Sequence, residues 1–295
     1  MRHGEGMRRL GMRAMALLAL AGCSTAVTPA SVSLPSVETT EKIAHADLAE
    51  VLRDRVDEKG LVDYRGLKRV PGRLERYYLW LSETSPDDEP ELFPTRNDEL
   101  AYWINAYNAC VLVVVLRNYP IAGVADVRTP FPLSLVDPKI GFFFLQQVKL
   151  GGEETSLYAL ENSLIRPRFE EPRAHFALNC ASRGCPQLPR EPFVGSRLDE
   201  QLDREARRFF AEERNLSIDH AERRVTLSSI LDWYEDDFVE GYESSHPGQS
   251  GSLLAYALLY APPEKKADLE RAIAESYDVA FAPYDWSLND QKPVR

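Results

Sequence analysis

The sequence lacks a phosphate-cradling glycine loop: Gly151 and Gly152 form an isolated pair with no following Lys-Ser/Thr. No nucleotide or other cofactor is therefore expected. Positive charge is also scarce, with 35 Lys and Arg against 46 Asp and Glu, for a formal charge of −11. An acidic chain repels phosphate backbones, so nucleic acid is not an expected partner. There are only four cysteines. Two of them follow His175 in an H-x4-C-x4-C spacing that matches no common zinc pattern, and no metal is expected there. No internal repeat is visible. What is present is ample apolar material, 44% of residues with four Trp, enough to bury a substantial core in one large domain.

The N-terminus has its own pattern. Arg2, Arg8, Arg9 and Arg13 precede a short apolar run, ALLALAG, which ends against Cys23. This is the charged and apolar order of a secretory signal, and the run is far below the ~20 residues of a spanning helix. Leu20-Ala21-Gly22-Cys23 resembles the lipobox of bacterial lipoproteins, which implies cleavage before Cys23 and its lipidation. Several acyl chains on one residue give stable membrane attachment. Ser24 after the cysteine implies an outer-membrane location facing the periplasm. Loss of residues 1–22, which carry four Arg and one Glu, moves the formal charge from −11 to −14. Residues 23–42 are rich in Ser and Thr without a helical or strand period, and read as a flexible tether. A single domain then occupies 43–295.

Within that domain the spacing predicts helices over 43–57 and 71–82, with an extended segment at 60–64 between them. Residues 83–95 are acidic and Pro-rich and read as an exposed loop. Thr95 and Asp98 form a capping-box-like start to a helix that is apolar from Leu100 to Leu116 except for Asn105 and Asn108. A helix apolar all round is buried, and its shortness and two amides argue against a membrane span. Strands are expected at 141–145, 147–150 and 174–179, and a hairpin at 216–227. Further helices are expected at 156–165, 198–213, 229–240, 252–259 and 264–276. The fold class is α+β: a single mixed domain, helix-rich, with a small sheet containing antiparallel strands.

Candidate chemistry concentrates in residues 173–186, RAHFALNCASRGCP. In a strand, His175 and Asn179 would share one face and Cys180 the other, so His175 and Cys180 meet only if the chain turns near Asn179. Glu161 falls in the apolar stripe Leu157, Leu160, Leu164, so its carboxylate requires a partner, with His175 or Arg173 the nearest in sequence. A structural pair and a site role both fit. Asn105 and Asn108 must bind backbone, water or ligand. Cys110 is a core residue. Cys180 and Cys185 fit a disulfide or a reactive thiol at Cys180 assisted by Arg183, and the third reading, a metal site with His175, is the weak one because the spacing matches no common zinc pattern. The acidic run at 232–237 reads as a solvated helix start capped by Ser229 and Asp232.

The segments WINAYNA (103–109), HFALNCAS (175–182) with GCP (184–186), DWYEDDF (232–238) and YDWSLN (284–289), together with GLVDY (60–64) and LYALE (157–161), resemble the DUF547 family over about 45–290. That resemblance implies a site like that of a cysteine peptidase, with Cys180 as nucleophile, His175 as base and Glu161 orienting it. Asn105, Asn108 and Asn179 would then position substrate or an oxyanion. Where the family pattern has His after the helix Glu, this chain has Asn162. Two functions follow: an envelope cysteine hydrolase acting on amide or peptide bonds, or a non-enzymatic lipoprotein whose Cys180–Cys185 disulfide braces a ligand- or protein-binding loop. The expected partners are the membrane, through the lipid on Cys23, and a peptide or other envelope component.

Overall fold

The computed structural model describes residues 25–28 and 45–292; residues 1–24, with the expected signal segment and Cys23, and most of the expected tether lie outside the described residues. The domain is α+β and helix-rich. In chain order it comprises β1 (Thr25–Ala26), α1 (Ala46–Arg55), α2 (Tyr64–Arg69), α3 (Gly72–Glu83), α4 (Arg96–Asn118), α5 (Ile140–Phe143), β2 (Gln146–Leu150) and β3 (Glu153–Ser156). There follow α6 (Leu157–Ala159), a π-helical stretch (Leu160–Ile165), α7 (Arg166–Phe169), α8 (Leu198–Ala211), β4 (Leu216–Asp219) and β5 (Arg224–Ser228). The chain closes with α9 (Ser229–Trp233), α10 (Glu235–Ser245), α11 (Leu253–Tyr260), α12 (Pro263–Ala274) and β6 (Asp278–Ala282).

Two three-stranded mixed sheets serve two cores. β2 pairs parallel with β1 and antiparallel with β3, while β5 pairs antiparallel with β4 and parallel with β6. The first core surrounds α4, whose residues Leu100–Leu112 are all buried. The capping box is present: the Thr95 side chain accepts from the Asp98 amide, and the Asp98 carboxylate accepts from the Thr95 amide. It satisfies two of the free amide donors at a helix start. The second core packs Phe176, Phe209, Phe210, Phe238 and Tyr256 between α8, α10 and α11.

Several expected elements differ. Thr25 and Ala26, assigned to the tether, form a strand on β2. Residues 141–145 are not a strand: Ile140–Phe143 form a helical turn, and Gly141 sits so close to the Val127 and Arg128 carbonyls that a Cβ would clash at 2.3 Å. The extended segment at 60–64 is reduced to a bridge at Val62, because Asp63 accepts from the Gly66 amide and caps α2. The expected strand at 174–179 is a 3-10 turn, Pro172–Phe176, followed by loop. Pro172 presets its first φ, and the Glu171 carboxylate accepts from the Arg173 amide. The cap before α9 is Ser228, not Ser229 with Asp232, and the helix expected at 229–240 breaks at Tyr234. The acidic loop at 83–95 is partly internal, with Thr84, Ser85 and Phe93 buried.

Candidate functional site

Because residues 172–176 turn, His175 does not follow a strand's alternation. Its ring is buried in the second core, stacked on Tyr234 at 4.0 Å between centroids and tilted against Phe238 at 5.2 Å. Its Nε2 lies 2.7 Å from Asp237 Oδ2. The same carboxylate accepts a two-pronged pair from Arg166, Nε at 2.7 Å and Nη2 at 2.8 Å. Burial alone would raise the Asp237 pKa, but hydrogen bonds from His175 and Arg166 outweigh it and hold the group well below the usual carboxylate range. Arg166 also donates to Asn162 Oδ1 at 2.8 Å and lies over the Tyr234 ring.

Glu161 takes neither partner suggested by sequence. Tyr234 donates to its Oε1 at 2.7 Å and Tyr107 to its Oε2 at 3.1 Å. Burial, reinforced by this carboxylate, pushes both phenols well above their usual pKa, so they stay protonated donors. Arg173 turns outward to Glu171, Asp199 and Asp203. Tyr234 therefore stands between the two carboxylate systems: its ring covers His175 and its hydroxyl holds Glu161.

The amides of α4 fix loops. Asn105 donates to the Phe193 carbonyl and accepts from the Phe193 amide, at 2.7 and 2.9 Å. Asn108 treats the cysteine loop likewise, donating to the Ala177 carbonyl at 2.9 Å and accepting from the Asn179 amide at 2.8 Å. Asn179 extends the frame, donating to the Pro186 carbonyl at 2.7 Å. Its Oδ1 accepts from the Ala181 amide at 2.9 Å, which holds Ala181 at φ +63°, a left-handed conformation unusual for a side-chain-bearing residue.

On this frame Cys180 and Cys185 are joined as a disulfide with Cα atoms 6.1 Å apart. The Tyr284 hydroxyl lies 3.1 Å from each sulfur, and the Cys180 amide donates to Cys185 Sγ. Gly184 permits this approach, since a Cβ there would stand 2.8 Å from the Tyr284 ring. Cys185 is buried and Cys180 half-buried. Arg183, the residue expected to favour a thiolate, instead donates to the Asp290 carbonyl. Tyr284 continues outward into Trp286 and Trp233, with centroids 4.4 and 4.8 Å away, and Trp233 is 36% exposed. Lys139 caps the Trp286 ring at 4.3 Å. Cys110 is buried in α4, and burial pushes its thiol up.

Sequence reasoning missed Asp237, Tyr234, Arg166 and Tyr284. Asp237 was hidden in the run 232–237, whose other acidic residues do face solvent; the available signal was its three-residue spacing from Tyr234 and its place beside Phe238. No curated protein and no solved structure matches the chain. Residues 92–210 match the family model described as "Protein of unknown function, DUF547". That segment, which carries Asn105, Asn108, Glu161, His175, Cys180 and Cys185, is similar to the DUF547 domain.

Proposed function

We propose that this chain is a lipid-anchored envelope protein that binds a peptide or related envelope ligand on the aromatic surface beside the Cys180–Cys185 bridge. One observation carries the reading. The Cys180 sulfur is bonded to Cys185 beneath Tyr284, while the His175 Nε2 is engaged by Asp237. A nucleophile–base pair requires a free thiol within hydrogen-bond reach of the base; here each group serves another partner. Outward from the bridge, Tyr284, Trp286 and Trp233 offer rigid apolar rings with polar edges, the surface type that anchors peptide contacts. The test is titration of the unreduced chain with cell-wall peptide fragments, followed by tryptophan emission. Saturable binding that Trp233→Ala weakens about tenfold or more is expected; binding unchanged in that variant overturns the assignment.

A second reading, the cysteine hydrolase acting on amide or peptide bonds, is favoured by one feature: Cys180 is the more exposed sulfur of the pair. It requires the bridge to open and His175 to reach the thiol. Thiol counting and amide hydrolysis with and without reductant separate the two. Activity that appears on reduction and disappears in Cys180→Ala replaces the binding reading with catalysis.

A further inference from the structure

Three of the most exposed large apolar side chains lie within six residues of one loop: Phe131 at 79%, Leu135 at 75% and Val136 at 66%. Exposed apolar residues grouped on one loop of an otherwise acidic chain point to a contact surface. Part of the loop's backbone is satisfied internally, while the Phe131 and Leu133 amides donate to no carbonyl among the described residues and call for the headgroup level. The amides of Ser134, Leu135, Val136 and Asp137 donate to carbonyls of Pro130, Pro132 and Leu133 inside the loop, and Pro130 and Pro132 have no amide hydrogen to satisfy. In hydrocarbon, unsatisfied backbone groups are what exclude ordinary loops.

Its position relative to the chain start identifies what covers it. Pro130 lines a cleft of about 610 Å³ with Thr25, Arg117, Asn118, Val127, Arg128, Leu145 and Gln146. Thr25 is held there: its amide donates to the Leu145 carbonyl at 2.7 Å, the Val27 amide to Gln147 at 2.6 Å, and Arg117 to the carbonyls of Ala26 and Thr28. Cys23 is only two residues upstream, a reach of at most about 7 Å in extended chain. The two exposed guanidinium-bearing residues of the cleft, Arg117 and Arg128, suit phosphate headgroups, although the chain as a whole is acidic.

We propose that residues 131–136 dip into the same leaflet as the acyl chains on Cys23, giving the domain a second membrane contact that fixes its orientation. This rests on acylation of Cys23. Acyl chains alone hold a protein but leave it free to rotate about the attachment; an apolar loop beside them fixes one face downward.

The test reconstitutes the full-length protein into phosphatidylethanolamine–phosphatidylglycerol vesicles with brominated acyl chains. Phe131→Trp adds a fifth tryptophan to the native four at an exposed position, and Ile273→Trp places the control at an exposed position of α12, the helix that packs on the second core through Leu269 and Ala272. Bromine should quench an additional share of emission, roughly one-fifth, in Phe131→Trp and none in Ile273→Trp. Mass measurement of the N-terminal peptide reports acylation separately. An acylated, vesicle-bound Phe131→Trp protein without added quenching overturns the loop contact and leaves the anchor standing. Equal quenching at both positions overturns it as well, and an unmodified Cys23 removes the anchor and the loop contact together.

Discussion

The two cores of this domain solve the same burial problem with different chemistry. The first is built around one helix, α4, buried on all sides and threaded by two amides that clamp distant loops. The second is a nest of aromatic rings in which Phe176 touches Phe209 at 4.6 Å, Phe210 at 5.4 Å and Phe238 at 5.5 Å between centroids. Ala174, Ala177 and Leu178 belong to the first core, whereas Phe176 between them belongs to the second. The short run 174–178 is thus the seam. The candidate site lies along it: Glu161 is held partly by Tyr107 from α4, and His175 by Asp237 from α10. Polar groups accumulate where two separately packed units meet, because neither apolar interior accommodates them alone.

If the second core depends on its rings, the largest loss should come from its centre. Phe176→Ala is expected to cost about 3–5 kcal/mol in denaturant unfolding, since the ring is fully buried among four others. A cost below about 1 kcal/mol would mean that the two cores are not joined through this residue. Next, Asp237→Ala leaves His175 and Arg166 without their shared acceptor and should cost about 2–4 kcal/mol, discounted because Arg166 and Asp237 are about a quarter exposed. Asp237→Asn keeps an acceptor and should recover part of it. Identical losses in both variants would show that the carboxylate's charge matters and its shape does not.

The first core was more legible in sequence than the second, for a physical reason. α4 carries local signals: a capping box at Thr95 and Asp98, an unbroken apolar stretch and a terminating Tyr119-Pro120. Each helical residue contacts neighbours three and four positions away, so such a helix announces itself. Residues 174–178 are apolar because both sides are buried, and apolar continuity alone does not distinguish a buried turn from a strand. The same ambiguity made residues 141–145 look extended. The need of Glu161 for a partner was readable from its place in an apolar stripe. The partners, Tyr107 and Tyr234, lie 54 and 73 residues away, and no local pattern encodes them. The family resemblance noticed Asp232–Phe238 as a motif without revealing that Asp237 alone turns inward to His175.

The amide clamps allow a smaller, paired test of the first core. Asn108→Ala removes an acceptor for the Asn179 amide and a donor for the Ala177 carbonyl, both buried, and should cost about 2–3 kcal/mol. Asn105→Ala should cost a similar amount through Phe193. Only Asn108→Ala should loosen the cysteine loop, read as faster hydrogen exchange at the Asn179 and Ala181 amides. Equal exchange in the two variants would deny Asn108 its specific hold on that loop.

The smallest expected effect contrasts two buried histidines, one in each unit. His175 faces a carboxylate, whereas the hydrogen bond of His45 is to the Tyr77 hydroxyl, with Nδ1 2.9 Å away. Burial lowers the His45 pKa from 6.5 to about 4. Above pH 6.5 the ring is neutral both folded and unfolded, and stability is unaffected. Between 6.5 and 4 the unfolded chain takes up a proton that the folded chain refuses, so stability falls with pH; below 4 this contribution is exhausted. The loss at pH 5 should be on the order of 1–2 kcal/mol. The contribution of Asp237 has the opposite origin, a depressed carboxylate, and is lost only as pH falls below its ordinary value of 3.8. The two windows therefore do not overlap above pH 4. Urea unfolding of wild type and His45→Gln at pH 7 and pH 5 isolates the first: the wild type should lose more stability between those values than the variant. Parallel losses would assign the acid sensitivity to other groups and remove the contrast between the two histidines.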